Sequence, residues 1–522
     1  MMRPLRNLCL CLSLASAQTL GPADASTASQ KPPSPLFTQL PPGSYRACVT
    51  LYSASGSAGC SSPRAGSTAA LLPVSSAAEV AQFGAAATPA HAVMAAAFFT
   101  NATLAALDAT GNLAGVLLLP GATPPARFSP AASNSWNVNG EGLLPRSLSI
   151  PIFEVVSADV AADLAARAAS NVAKLTGAGG ALAYPRNVAR LDTFMGPDGM
   201  DSVKCLAGGN CMPLGGMSAW ASKGALEGGA GASLPIILAT AAMDSTALFH
   251  DAARGADDSI SGLVALLAAA DALSGVAPGN LPTRRIVFAA FQGEAYGAIG
   301  SRKFVADVAN FTCAAHLPAT ASPIGKRLCL SPLTVDAAFE SLTLERIDQV
   351  VAVHGVGSRA STGDLTVHRA ASPASAALAG LATAAGAALA TGASGRLPPT
   401  PADTFVAALP STAAAIVLTR YDASFEDAYY RSRFDGAENV NASRVAEAAR
   451  VLTQTLCDAA GGASTGVCGS AVGNVSLALV SELLGCFLDG AAFNCALAAK
   501  YSGRSQAQLD AGELTACVDQ IS

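Results

Sequence analysis

Three side chains that can carry protons or bind metals follow apolar runs in the second half of the chain. Asp244 follows LPIILATAA and one methionine, Glu294 follows RRIVFAAFQ and one glycine, and His354 follows QVVAV. Carboxylates and imidazoles serve as general acids and bases and as zinc ligands. The stretch FAAFQGEAYGAIGS, residues 288–301, presents one glutamate ahead of a glycine-rich turn. The sequence therefore suggests either a catalytic or metal site or the remains of one.

The elements that position these side chains are predicted from hydrophobic periodicity. Continuous apolar runs predict strands that are covered on both faces, and apolar residues at helical spacing predict helices between them. The predicted strands are 234–245, 284–292, 349–356 and 413–421, with helices at 255–275 and 301–310. This alternation predicts an α/β fold with a mostly parallel sheet flanked by helices. Functional residues of such sheets lie at the carboxyl ends of strands, where all three side chains fall.

The first half predicts a smaller α/β lobe at 45–232, ahead of a large lobe at 233–522. Residues 114–121 and 148–157 are predicted strands, 157–175 is a predicted helix, and the glycines of 206–232 suit a loop between lobes. Residues 1–17 have the basic, apolar and small-residue order of a secretory signal peptide. Residues 18–44 are rich in Ser, Thr, Ala and Pro and predict a disordered leader.

Charge and hydropathy exclude some classes of protein. With a net charge of −5 and charged residues at 13%, the chain has no basic stripe for nucleic acid. The apolar stretch 374–395 is mostly Ala, Gly and Thr, which favours a soluble helix over a membrane span. We therefore expect a luminal or secreted protein without a membrane anchor in this chain.

The cysteines and sequons agree with an extracytosolic location. Close spacing in an oxidising compartment favours local disulfides, although connectivity stays open. The close pairs are Cys48 and Cys60, Cys205 and Cys211, Cys313 and Cys329, Cys457 and Cys468, and Cys486 and Cys495, with Cys517 left over. The candidate glycosylation sites are Asn101, Asn310, Asn441 and Asn474.

Three motifs follow one another around the predicted strand ends. They are AMDS at 242–245, GADDSISG at 255–262 and QGEAYGAIGS at 292–301. Together they resemble the co-catalytic zinc aminopeptidases. The resemblance implies five zinc-ligand positions, of which only Asp258 keeps a clear ligand. Ala242 replaces a His and Ala295 a Glu, while His354 lies near an expected Asp and Arg431 near an expected His. A methyl group cannot coordinate zinc and a guanidinium repels it, so we expect no metal, no cofactor and no catalytic residue.

Four further motifs stand out in the two halves of the chain. They are ACVTLYSASGSAGCSS at 47–62, SWNVNGEGL at 135–143, PIFEVV at 151–156 and FDGAENVNAS at 434–443. Together they resemble the nicastrin family, the large ectodomain subunits of γ-secretase. The resemblance implies an aminopeptidase-like fold without peptidase activity. That family ends in a transmembrane helix, and this chain stops at Ser522, so we expect either a truncated chain or a soluble relative.

The resemblance implies a role in admitting membrane protein stubs with short ectodomains to an intramembrane protease. The expected partners are a presenilin-type aspartyl protease and the other γ-secretase subunits. Glu294 and Tyr296 are the candidate substrate-binding residues, because a carboxylate freed from metal could pair with the α-amine of a stub. Alternatively, Glu294 is a structural remnant bound by its own turn. Two other functions stay open: a secreted zinc aminopeptidase, and a secreted glycoprotein that binds partners outside any protease complex.

Overall fold

The fold is taken from a computed structural model. It describes residues 37–502 apart from 54–55, 64, 87, 122–123, 177–186, 193–200, 210–213, 215, 227–230, 232, 319, 322–327, 332, 335–340, 393–395 and 489–494. The predicted signal peptide at 1–17, the leader up to residue 36, Cys211 and Cys517 therefore lie outside the described residues.

The first half forms a mixed sheet with helices on both faces. Its strands are β1 (Phe37–Gln39), β2 (Tyr45–Ala47), β3 (Thr50–Ser53), β4 (Gly56–Cys60), β5 (Ser67–Pro73), β6 (Ala90–Ala95), β7 (Leu113–Leu119), β8 (Ser147–Leu148), β9 (Ile152–Val155) and β10 (Val188–Leu191). Its helices are α1 (Ala77–Gly84), α2 (Asn101–Asp108), α3 (Ala158–Thr176) and α4 (Ser202–Ala207). The main sheet has the order β1-β10-β5-β6-β7-β9-β2, and β3, β4 and β8 form a second, small sheet.

The second half forms a larger sheet. Its strands are β11 (Ala219–Lys223), β12 (Ile236–Ala242), β13 (Arg285–Phe291), β14 (Ala315–Leu317), β15 (Leu328–Ser331), β16 (Leu333–Thr334), β17 (Ile347–Val353), β18 (Thr366–Arg369), β19 (Ala388–Leu389) and β20 (Ala414–Thr419). Its helices are α5 (Ser261–Ser274), α6 (Ile299–Asn310), α7 (Pro373–Ala384), α8 (Pro401–Ala408), α9 (Ala442–Ala459), α10 (Cys468–Gly473), α11 (Leu477–Leu488) and α12 (Ala496–Ser502). The order is β11-β13-β12-β17-β20-β18-β19, with β14, β15 and β16 in a satellite sheet.

The predicted α/β fold, with a mostly parallel large sheet between helices, is confirmed. The central strands β13, β12, β17 and β20 all pair in parallel, and only the β11–β13 and β18–β20 pairs of this sheet are antiparallel. Alternate residues of β12 face opposite layers, because side chains alternate along a strand. Ile237 and Ala239 pack in the layer of α5 and α9, whereas Leu238 packs in the layer of α6 and α8.

Three predicted boundaries need correction. Phe37–Gln39 pairs with β10 and Leu40 is buried, so ordered structure begins inside the stretch assigned to a leader. Ala219–Lys223 pairs with β13, so the glycine-rich linker contains an edge strand of the large sheet. The helix predicted within 374–395 ends at Ala384, because Gly386 has a φ of +116° that a helix cannot continue. Among the described residues, no helix combines the length and apolar character needed to cross a bilayer.

Candidate functional site

The structure brings the three predicted strand-end residues to one edge of the large sheet. β12 lies between β13 and β17, and all three strands run in parallel. Asp244, Glu294 and His354 follow these strands by one to three residues. The prediction that they share the carboxyl edge is therefore correct in its geometry.

Asp258 is the carboxylate at the centre of this edge. It is buried, with 5% of its surface exposed, in the π-helical turn Ala256–Ile260 ahead of α5. Its Oδ2 accepts a 2.6 Å hydrogen bond from the Ser245 hydroxyl, and its Oδ1 lies 3.1 Å from Nε2 of His354. Burial raises the pKa of Asp258, but the hydrogen bond from His354 and the charge of Arg431 outweigh it, so the pKa falls below its usual value. Asp258 therefore stays ionised at neutral pH.

A second aspartate holds the backbone of this turn. Oδ1 and Oδ2 of Asp435 accept hydrogen bonds of 3.0 and 3.1 Å from the backbone N–H of Asp257. Oδ2 also accepts a 3.1 Å hydrogen bond from the backbone N–H of Asp258. These N–H groups begin a helix and have no partner within it. Asp435 belongs to the FDGAEN motif, but nothing in its spacing from Asp258 indicated this contact. Sequence reasoning missed it.

Glu294 is held by its own turn. The backbone N–H of Ser301 donates to Oε1 at 2.7 Å, and the Ser301 hydroxyl donates to Oε2 at 3.0 Å. Asp244 fixes the other side of the turn, accepting 2.8 and 3.0 Å bonds from the backbone N–H of Glu294 and Ala295. Burial raises the pKa of Glu294 to about 7, although the two hydrogen bonds from Ser301 act to lower it.

Tyr296 has partners of its own on the same turn. Its hydroxyl lies 3.2 Å from Nδ1 of His250, which is also 3.3 Å from the Thr246 hydroxyl. Burial lowers the pKa of His250 to about 4, so this imidazole is neutral at physiological pH. The tautomer of this neutral ring sets whether Nδ1 accepts from a hydroxyl or donates to one. Glu294 and Tyr296 share a turn, but each is anchored separately.

Arg431 enters the edge from the loop that follows β20. Its backbone has a φ of +55°, and its guanidinium carbon lies 5.2 Å from the centre of the Tyr430 ring. Tyr430 is buried, and its ring centre is 6.3 Å from that of His354. Arg431 was predicted near this edge, and the structure places it there.

The residues at this edge do not fit a two-zinc site. Each zinc needs about three protein donors, whereas Ala242 and Ala295 offer methyl groups and Arg431 brings a positive charge. His354 is already bound to Asp258 and, through Nδ1, to the Tyr421 hydroxyl at 2.9 Å. Within the described ranges, no group of three or more His, Cys, Asp or Glu side chains is arranged to hold a metal ion.

Disulfides stabilise both lobes. The described bonds join four of the pairs that the spacing favoured: Cys48–Cys60, Cys313–Cys329, Cys457–Cys468 and Cys486–Cys495. Cys205 is also in a disulfide, while its predicted partner lies outside the described residues. The presence of disulfides in this chain is thus confirmed.

The four sequons differ in exposure. Asn310 and Asn474 are exposed near the ends of α6 and α10. Asn101 and Asn441 are half-buried: Oδ1 of Asn101 accepts from Arg146 at 2.9 Å, and Oδ1 of Asn441 accepts from the Ser443 N–H at 2.9 Å. Glycosylation at these four positions stays a prediction.

Comparison with known proteins decides the family. A family model described as the nicastrin large lobe matches residues 235–464, and one described as the nicastrin small lobe matches residues 47–196. Together they match well over half of the chain. The chain belongs to the nicastrin family. The resemblance to the nicastrin family that the sequence motifs indicated is confirmed.

Nicastrins from several organisms are similar to this chain. Nicastrin of Arabidopsis thaliana is 28% identical over 480 residues, covering 84% of this chain and 65% of the relative. Nicastrin of Dictyostelium discoideum is 30% identical over 240 residues, covering 46% of this chain and 34% of the relative. The chain thus spans less than two thirds of the length of either curated relative.

A solved nicastrin shares the fold. The crystal structure of the γ-secretase component nicastrin superimposes with a TM-score of 0.70, covering 87% of this chain and 79% of that one at 22% identity. At this identity the match supports the fold. The roles of Glu294, Tyr296 and Arg431 must therefore be argued from this chain's own residues.

Proposed function

We propose that this chain is the non-catalytic, nicastrin-type subunit of a γ-secretase complex. The family membership supports the assignment to a subunit. The observation that carries the non-catalytic part is the edge of the large sheet, where Ala242, Ala295 and Arg431 occupy three positions that the resemblance to zinc aminopeptidases assigns to ligands. Catalysis would then be supplied by a presenilin-type aspartyl protease, with this chain on the luminal or extracellular side.

We further propose that Glu294 and Tyr296 face the amino terminus of membrane protein stubs. Each carboxylate oxygen of Glu294 accepts one hydrogen bond from Ser301, and a carboxylate oxygen has a further lone pair. With a pKa of about 7, the carboxyl is partly ionised at neutral pH. An approaching ammonium group would favour the ionised form. The contact would thus select stubs with a free, short amino terminus.

The alternative role for Glu294 rests on the same contacts. Two hydrogen bonds from Ser301 make the carboxylate an anchor for the turn that begins α6. An anchor and an amine contact are distinguished by comparing Glu294→Gln with Ser301→Ala. Gln keeps an acceptor for the Ser301 N–H but can never carry the charge, whereas Ala removes one anchoring bond and leaves a carboxyl that an ammonium group can still ionise.

The test is processing of a short-ectodomain stub by complexes that contain each variant. We expect Glu294→Gln to slow processing several-fold at unchanged complex assembly, while Ser301→Ala has a small effect. Equal losses in both variants would assign Glu294 to the turn alone. Blocking the stub's amine by acetylation should remove the difference between wild type and Glu294→Gln.

Subunit function is tested by co-purification. We expect the full chain to co-purify from membranes with a presenilin-type protease. A soluble monomer without such partners would instead support the secreted binding protein. Hydrolysis of aminoacyl-nitroanilides with two zinc ions per chain would establish the aminopeptidase and contradict the proposal.

A further inference from the structure

Loop 425–436 lies between the two lobes and contacts both. The structure describes it in full, and it contains no helix or strand, yet none of its residues is exposed. Loops normally run over the surface, where water satisfies their backbone groups. Here protein groups on either side take the place of water. The loop is therefore part of the contact between the lobes.

Three hydrogen bonds join the first half of this loop to segment 125–144 of the small lobe. They run from the Phe425 N–H to the Trp136 carbonyl at 2.7 Å, from the Phe128 N–H to the Ala428 carbonyl at 2.9 Å, and from the Tyr429 hydroxyl to the Pro125 carbonyl at 2.8 Å. None of these bonds involves a charged group, so they fix the path of the loop without depending on ionic strength.

An ion pair joins the second half of the loop to the small-lobe sheet. Arg433 pairs with Glu154 of β9, whose side chain is 1% exposed. The other oxygen of Glu154 lies 3.3 Å from Nη1 of Arg46, its cross-strand neighbour on β2. Arg46 also lies 3.5 Å from Asp251 of the large lobe, but both side chains are more than a third exposed, and such pairs contribute little. The buried contact between the lobes is therefore that of Arg433 with Glu154, and breaking a buried pair is costly.

Two residues after Arg433, the loop contacts the large lobe through Asp435. This residue is 0% exposed, and its carboxylate accepts from the backbone N–H of Asp257 and of Asp258 at 3.0–3.1 Å. Its backbone carbonyl accepts from the N–H of Ala256 at 3.2 Å. These N–H groups begin a helix and find no acceptor within it. Leaving them buried and unpaired would be costly, so the turn ahead of α5 depends on where Asp435 lies.

We propose that Arg433 is an interlobe positioning residue: by pairing with Glu154 it keeps Asp435 against the turn 256–260, so that the small lobe orders the carboxyl edge of the large sheet. Two residues of chain span at most about 7 Å, and the Asp435 N–H donates to the Ser432 carbonyl at 3.1 Å. A displacement of Arg433 is therefore passed to Asp435. The coupling goes beyond the role of the chain in a protease complex and does not depend on it. A partner that displaces the small lobe would loosen this turn.

Two matched substitutions around the same carboxylate test the ion pair. Arg433→Gln breaks the pair between the lobes, whereas Arg46→Gln breaks the pair within the small lobe and leaves Glu154 with Arg433. Amide hydrogen exchange is measured on the full chain, in peptides that cover 256–260 and 425–436. We expect exchange in both segments to become several-fold faster in Arg433→Gln and to stay near wild type in Arg46→Gln. Equal acceleration by both variants, or unchanged exchange in Arg433→Gln, would overturn the proposal.

Packing of the Arg433 side chain must be separated from its charge. Its guanidinium carbon lies 4.2 Å from the centre of the Phe434 ring, so the side chain also fills space at the lobe contact. Arg433→Lys keeps the charge, and Arg433→Met keeps an apolar stem without it. If the ion pair positions the loop, exchange in 425–436 is slower in the Lys variant than in the Met variant. The reverse order would assign the residue to packing and overturn the proposal.

Transmission from the loop to the turn is tested by Asp435→Asn. Asn keeps one acceptor oxygen and replaces the other with a donor, so exchange in 256–260 should become faster. When Arg433→Gln is added, exchange in this turn should be no faster than in the faster single variant, because both changes act on the same contact. A product of the two accelerations would show that Arg433 acts on the turn by another route and would overturn the proposal. The Arg433 variants decide the proposal even where Asp435→Asn fails to fold.

Discussion

Ser301 holds both carboxylate oxygens of Glu294, through its backbone N–H to Oε1 at 2.7 Å and through its hydroxyl to Oε2 at 3.0 Å. The two residues lie seven positions apart, across the glycine-rich turn between β13 and α6. The glutamate of this turn is thus anchored by the folded chain itself. Its ionisation therefore matters for stability.

The first prediction concerns the pH dependence of Glu294→Gln. Burial raises the pKa of Glu294 from 4.5 to about 7, so between these values the folded state binds more protons than the unfolded state. The stability linked to this group is present at low pH and is lost as pH rises through about 7. The amide of Gln does not titrate. We therefore expect the variant to gain about 2 kcal/mol over wild type between pH 5 and pH 8.

Urea unfolding at pH 5, 6, 7 and 8 measures this gain. Ser301→Ala is the matched variant: it removes the hydroxyl donor while Glu294 stays buried, so the pKa of Glu294 should rise further and the loss of stability should extend to higher pH. Parallel stability profiles for wild type and Glu294→Gln would show that the carboxyl is not perturbed.

The second prediction concerns Ala298, the residue that precedes α6. Its φ of +56° lies in the left-handed region, which costs an L-residue about 1–2 kcal/mol relative to glycine. Glycine loses more conformational entropy on folding, so the net gain is smaller. We expect Ala298→Gly to stabilise the protein by about 0.5–1 kcal/mol in urea titrations. Ala306→Gly, inside α6, is the control and should destabilise the protein by about 1 kcal/mol. A loss of stability in both variants would contradict backbone strain at Ala298.

The third prediction concerns the disulfide Cys48–Cys60. Both cysteines are buried, at 1% and 0% exposure, in the core between the small-lobe sheet and α1 and α2. Replacing both with Ala should cost about 2–3 kcal/mol, as expected for a short closed loop. The Cys313–Cys329 pair encloses a loop of similar length in the satellite sheet, and its removal should cost less because only one sulfur is in a core.

Non-reducing peptide mapping should find Cys48 linked to Cys60, and free thiols at both would refute the bond.

The centre of the large sheet could be predicted because its strands carry their own signal. β12, β13, β17 and β20 are continuous apolar runs, as strands covered on both faces must be. Parallel pairing then places their carboxyl ends together, which located Asp244, Glu294 and His354 without further information. The edge strands lacked this signal: AWASK of β11 becomes a strand only by pairing with β13.

The contacts within the site could not be predicted from spacing. Asp435 reaches the backbone of Asp257 across 178 residues, and Glu154 reaches Arg433 from the other lobe. Neither pair is close in sequence, and no periodicity indicates them. The positive φ of Arg431 is equally hidden, because arginine has no preference for that region. Such features depend on the packing of whole lobes.

The fourth prediction separates two sequons by their structural roles. Asn441 caps α9, its Oδ1 accepting from the Ser443 N–H, whereas Asn474 is exposed at the end of α10. If these sequons carry glycans, Asn441→Gln and Asn474→Gln should each remove one glycan from the protein expressed through the secretory pathway, seen as a mass change after deglycosylation. Only Asn441→Gln should destabilise, by about 1 kcal/mol, because Gln caps helices poorly. Asn441→Asp keeps the helix cap and removes the amide to which the glycan would be attached. This variant should therefore lose the glycan and keep its stability. Equal destabilisation by Asp and Gln at 441 would mean that the glycan, and not the cap, stabilises α9.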